Sequence, residues 1–207
     1  MSQSKRTTTG ESAPPARRLI VGISGASGVI YGVRALEMLR EAGVQTHLVM
    51  SKSAELTLAY ETDLKVKQVH ALASVVHAPA SLGASIASGS FQTMGMLVLP
   101  CSIRSMSEIA TGVTTTLLSR AADVVLKERR RLVLGLRETP LHAGHLRNMA
   151  ALAEIGAIVA PIVPAFYHRP KTIEDIVDHS VGRLLDLFGI DTGTVARWQG
   201  GRKLASE

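Results

Sequence analysis

Aromatic side chains are scarce in this chain. Three Phe, three Tyr and one Trp make up 3% of its 207 residues. A protein that holds single-stranded nucleic acid by base stacking needs more of them. The net charge of +6 is therefore read as provision for small anionic ligands, whose phosphates recruit Arg and Lys, and no nucleic-acid partner is expected. Cysteine is nearly absent too. Cys101 is the single one, which excludes an internal disulfide and fits a reducing, cytoplasmic setting. No apolar run reaches the roughly 18 residues of a membrane span, so no membrane association is expected. The seven histidines show no metal-ligand spacing. His142 and His145 lie one helical turn apart with no evident third ligand, and no metal is expected.

What is present is alternation. Short apolar runs at 18–23 (RLIVGI), 45–50 (QTHLVM), 94–100 (MGMLVLP), 131–136 (RLVLGL) and 157–163 (AIVAPIV) read as strands. Between and after them, helical spacing is expected over 29–41, 53–61, 105–112, 117–126, 141–156 and 172–188. Strands alternating with helices predict a doubly wound parallel sheet covered on both faces, in one α/β domain over 18–190. Residues 1–17, rich in Ser, Thr and Pro and without an apolar h-region, read as a disordered lead-in rather than a signal peptide. The small, polar stretch 78–92 reads as a long functional loop. Residues 191–207 read as an irregular C-terminal tail.

Chemistry concentrates after the strands. "VGISGASGVIYG" at 21–32 is a glycine-rich turn between a strand and a helix. Such a turn brings backbone N–H groups and a helix N-terminus to a phosphate, and Ser24 and Ser27 add hydroxyls. A dinucleotide site normally has an acidic residue at the end of the second strand to hold a ribose hydroxyl. Met50-Ser51-Lys52 stands there instead, which favours a mononucleotide with its phosphate near Ser51 and Lys52. Pro100-Cys101-Ser102-Ile103-Arg104-Ser105 follows the third of these strands, at the edge where ligands bind in open α/β sheets. Cys101 has no His or Asp spaced beside it and is read as a packed thiol. Arg137-Glu138 at the end of the next strand pairs a cation with a carboxylate, which suits phosphate binding with proton transfer. Tyr167 lies in a loop after the last strand, and Arg183 lies on the final helix.

Together these blocks resemble the flavin prenyltransferases, formerly described as aromatic-acid decarboxylases, of the homo-oligomeric flavin-containing cysteine-decarboxylase superfamily. "GISGASGVIYG", "THLVMSKSAELTLAYET", "SGSFQTMGMLVLPCSIRSMSEIATG", "SRAADVVLKERRRLVL", "RETPLHAGHLRNMAALAEIGAIVAPIVPAFYHRP" and "VGRLLDLFGI" carry the likeness, in order, over about residues 18–199. The resemblance implies a flavodoxin-like (Rossmann-like) fold. It implies transfer of a dimethylallyl group from dimethylallyl phosphate to N5 and C6 of reduced FMN, without a metal. The prenylated FMN would then pass to a separate aromatic-acid decarboxylase. It also implies a homo-oligomer, a dodecamer built from trimers, with sites at subunit interfaces.

By position, the resemblance gives the FMN site to Gly25, Ala26, Ser27, Ser51, Ser102, Ile103, Arg104, Ser105 and Arg137. It gives the prenyl phosphate to Lys127, Arg137, Tyr167 and Arg183, with Arg120 beside them. Glu138 looks like the acid that protonates the departing phosphate, and Ser27 like a relay near flavin N5. With no metal ion, several cationic and hydroxyl donors must neutralise the leaving group, Lys127 among them. The resemblance has Glu61 shape the prenyl pocket, from its own or a neighbouring subunit, and Trp198 close over the site. Leu136 stands where the family often has proline, and Lys171 where an acidic residue is common. Neither removes a proposed functional group. Two other readings stay open: direct flavin-dependent decarboxylation, and a non-enzymatic FMN carrier.

Overall fold

The structure, a computed structural model, describes residues 17–197. Six parallel strands form one sheet in the order β3-β2-β1-β4-β5-β6. They are β1 (Arg18–Ile23), β2 (Gln45–Met50), β3 (Val75–His77), β4 (Gly95–Cys101), β5 (Arg131–Leu136) and β6 (Ile158–Val159). Helices α1 (Val29–Glu41), α2 (Lys52–Glu61), α3 (Val66–His70), α4 (Ile103–Ala110), α5 (Leu117–Lys127), α6 (Ala143–Glu154) and α7 (Ile173–Asp186) make the crossovers and the closing layer. The expected doubly wound sheet is present. β3 and α3 were not anticipated, because a three-residue edge strand and a five-residue helix carry too few positions for a period to show. Without β3, the remaining five strands follow the flavodoxin order; with it, the order is that of the dinucleotide-binding sheet.

Burial explains the sequence runs. Every residue of β4 is buried, as a central parallel strand requires. Along β1, Leu19, Val21 and Ile23 face one layer with α1 and α7, while Ile20 faces the other with α4 and α5. Arg34 of α1 grips Asp178 of α7 with two hydrogen bonds of 2.7 and 3.1 Å, tying together two helices of one face.

Several boundaries differ from expectation. The last regular strand is two residues long rather than 157–163, although the Ala160 and Ile162 N–H groups beyond it still donate to Leu134 and Leu136 of β5 at 2.9 and 3.0 Å, and Pro161 between them falls on the open edge. The helix expected over 105–112 starts at Ile103, with Ser102 as its N-cap. The long loop over 78–92 contains one 3-10 turn, Ser85–Ala87, pinned by buried Ile86. No helix among the described residues is long and apolar enough to cross a membrane.

Candidate active site

Loops at the carboxyl ends of β1, β2, β4 and β5 gather the chemistry, and the strand order fixes their neighbours. The chain leaves β1 for β2 on one side and reaches β4 on the other, so a crevice opens between the β1 and β4 ends. Ser24 closes the base of that crevice. Its hydroxyl donates to the Pro100 carbonyl at 2.7 Å and accepts from the Ser102 N–H at 2.7 Å. It is buried, so it latches two strand ends together instead of facing a ligand as expected.

The glycine-rich turn also differs from a phosphate cradle. Gly28 sits in the left-handed region (φ 89°) as the N-cap of α1. The Glu61 carboxylate accepts from its N–H at 2.9 Å and from the Val29 N–H at 3.0 Å. An internal anion thus already satisfies the positive end of α1. Glu61 makes this contact within its own chain. The expectation of a contribution from a neighbouring subunit concerns a contact that a single chain does not display.

Phosphate-type donors are found one loop further on. Ser51 caps α2 and accepts from the Ala54 N–H at 3.1 Å. Ser102 caps α4, with the Ser105 N–H at 3.3 Å and the Ser105 hydroxyl at 3.2 Å. The two helix starts face one hollow of about 280 Å³ that Lys52, Ser53, Arg104 and Thr116 also line. Lys52 and Arg104 are exposed, each held by a carboxylate of its own helix, Glu55 and Glu108, at 3.0 Å. Two helix N-termini, four serines and two cations suit a phosphate monoester. Ser53 was not singled out from the sequence; its place in the lining and its packing against Gly25 show its position.

A Cβ built on Gly25 would lie 2.4 Å from Ser53 Cβ and 3.1 Å from the Ser53 carbonyl carbon. Gly25→Ala must push the β1 loop off α2. We expect a stability loss of about 1–3 kcal/mol by urea unfolding, with FMN affinity falling in parallel. Unchanged stability and affinity would show that the loop has slack at this point.

Arg137 and Glu138 emerge from β5, exposed, between the ends of β4 and β6. The Arg137 N–H is tied to the Cys101 carbonyl at 3.0 Å. Cys101 itself is fully buried, and burial pushes its thiol up to about 12. It is the packed thiol that was expected. On the far side of β5 lies a second hollow of about 230 Å³ that Ile162, Tyr167, His179 and Arg183 line. Tyr167 and Arg183, far apart in sequence from the first hollow's residues, therefore share one wall system. Arg183 is paired with Asp186 at 2.7 Å, and Asp186 also takes Arg197. These cations hold the Asp186 carboxyl below its ordinary range, Arg197 most strongly.

Lys127 is not brought in. It ends α5, whose start borders the first hollow through Thr116, and eleven residues at about 1.5 Å each carry it roughly 16 Å away. There it pairs with Glu128. Arg120, one turn into α5, stays nearer and pairs with Asp123 at 2.7 Å. Ser27 and Ala26 lie in the β1 loop, Ser27 exposed. Trp198 lies outside the described residues. The segment leading to it packs on α7 through Val195, and the Ala196 carbonyl accepts from Tyr167 at 3.2 Å. His142 caps α6, accepting from the Gly144 N–H at 3.0 Å, a structural job for that histidine.

A family model described as Flavoprotein matches residues 7–185. The flavin prenyltransferase UbiX of Escherichia coli (strain K12) is 58% identical over 187 residues, 89% of this chain and 99% of the relative. The chain belongs to the flavin prenyltransferase family. Among solved structures, AnUbiX (PadA1) in complex with FMN and dimethylallyl pyrophosphate superposes with a TM-score of 0.89. It is 51% identical, covering 90% of this chain and all of that one. A dodecameric FMN-dependent UbiX-like decarboxylase from Escherichia coli O157:H7 superposes at 0.86 and is 50% identical, over 88% of this chain and all of that one. The two hollows flanking Arg137-Glu138 thus belong to a flavin prenyltransferase framework.

Proposed function

We propose that this protein joins a dimethylallyl group from dimethylallyl phosphate to reduced FMN. The observation that carries this is the placement of Arg137 and Glu138 between two anion-suited hollows. The hollow at Ser51, Ser53, Ser102 and Ser105 fits the FMN phosphate, with Ser27 and Gly25 along the flavin. The hollow at Tyr167 and Arg183 fits the prenyl phosphate. The reduced flavin supplies the nucleophilic atoms. The chain's residues hold the two phosphates apart at a fixed distance, and Glu138 hands a proton to the departing one. Tyr167, Arg183, Arg137 and Lys127 neutralise its charge. Glu61 fixes the start of α1 under the prenyl pocket, and Arg120 is a further donor to the prenyl phosphate.

Lys127 lies too far from its own chain's Glu138, which favours an oligomer in which a neighbour supplies it. A dodecamer, as described for the Escherichia coli O157:H7 relative, is the proposed assembly. The product's chemistry points to a separate decarboxylase of aromatic acids as its recipient, in the cytoplasm.

The test is an anaerobic incubation with reduced FMN and dimethylallyl phosphate. Mass spectrometry should find a flavin heavier by one C5 unit. Unmodified FMN alone would refute the proposal, and CO₂ released from an aromatic acid with no partner present would favour direct decarboxylation.

A further inference from the structure

We infer that His179 is a positioning residue, which orients the Tyr167 hydroxyl toward the prenyl phosphate by donating a hydrogen bond from Nε2 to the phenol oxygen. The inference rests on the reading of the second hollow as the phosphate site. The Tyr167 oxygen lies 2.9 Å from His179 Nε2 and 3.2 Å from the Ala196 carbonyl. A phenol carries one proton, a carbonyl only accepts, and a ring nitrogen can do either. One proton arrangement makes both contacts hydrogen bonds: Tyr167 donates to Ala196, and His179 Nε2–H donates to Tyr167.

The surroundings favour that arrangement. His179 is 4% exposed, and its ring lies flat on His168, centroids 4.1 Å apart at 9°. The imidazole therefore cannot swing without breaking a stack. Burial foremost, then the neighbouring His168 and Arg183, hold it below the ordinary imidazole range against the opposing pull of Asp186. Near neutral pH it is an uncharged ring that can donate from one nitrogen. Arg183 follows one turn later on the same face of α7, so the imidazole and the guanidinium share a wall. With its oxygen already accepting from His179, the phenol directs its proton away from that ring, where the Ala196 carbonyl now sits. A phosphate oxygen arriving there would meet an oriented donor, and a donor polarised by the bond it accepts.

The experiment is a double-mutant cycle on the FMN-loaded protein. Dimethylallyl phosphate binding is read by calorimetry with oxidised FMN, so that turnover does not intervene. Tyr167→Phe should weaken binding about tenfold or more, the cost of one hydrogen bond to an anion. His179→Leu should cost nearly as much, and His179→Gln, which keeps a terminal N–H close to the Nε2 position, should stay within about threefold of wild type. The double variant Tyr167→Phe/His179→Leu should bind within about twofold of Tyr167→Phe alone, because His179 acts through the hydroxyl already removed. In steady state, His179→Leu should raise the KM for the prenyl donor more than it lowers kcat.

Multiplying effects in the double variant, or unchanged binding in His179→Leu, would overturn the inference. Unchanged binding in Tyr167→Phe would overturn the phosphate-site reading as well, so the two failures are distinguishable. FMN affinity and the unfolding midpoint of His179→Gln report whether the fold is intact.

Discussion

Glu138→Gln should lower prenyl transfer to reduced FMN by about 10³-fold while FMN affinity changes less than about threefold. The geometry separates the two effects. Glu138 lies beyond the end of β5, exposed, and accepts from the adjacent Thr139 N–H at 2.9 Å. A glutamine amide oxygen can accept that same bond, so the loop keeps its shape. What is lost is a group able to give up a proton as the C–O bond of the prenyl donor breaks. The hollow proposed for the FMN phosphate is built by the starts of α2 and α4, and Glu138 is not part of its lining. Anaerobic single-turnover mass spectrometry measures the transfer, and flavin fluorescence measures the binding. A variant that prenylates within tenfold of wild type would remove Glu138 from proton transfer. A protein that only carries FMN would deliver it equally well with either side chain.

Legibility from sequence followed the length scale of each signal. Four of the five expected strands were readable because β1, β2, β4 and β5 are short, mostly apolar segments buried between two helical layers, as a doubly covered parallel sheet demands, whereas the flavodoxin-like fold was implied only by the family resemblance. The site loops were readable because ligands bind where such strands end. Contacts between loops were not. Nothing in "GASG" announces that Glu61, thirty-three residues after Gly28, would occupy the donors that seemed reserved for a phosphate. Likewise Ser24 looks from sequence like Ser27, and only burial separates the latch from the exposed hydroxyl. His179 was hidden in the apolar face of α7, where a lone histidine reads as core. Its partner lies across a loop with no period of its own.

The position of Lys127 leads to the second large effect. Ser27, Arg137 and Glu138 stand at the carboxyl edge of the sheet, and α5 runs antiparallel to the strands, from that edge to the opposite one. Lys127 is thus at the wrong end of its own subunit to meet a phosphate held near Glu138, and no side-chain rotation spans a helix of that length. If the lysine is needed, a neighbouring subunit supplies it. Lys127→Ala and Glu138→Gln should then each fall at least about 100-fold as pure proteins. Coexpressed in equal amounts, they should recover about one quarter of wild-type activity, the chance that a site draws its sheet edge from one variant and its lysine from the other. A site complete within one chain would show no recovery in the mixture, since every subunit would carry one lesion. Full activity in pure Lys127→Ala would instead release the lysine from the chemistry and leave Tyr167, Arg137 and Arg183 to neutralise the departing phosphate.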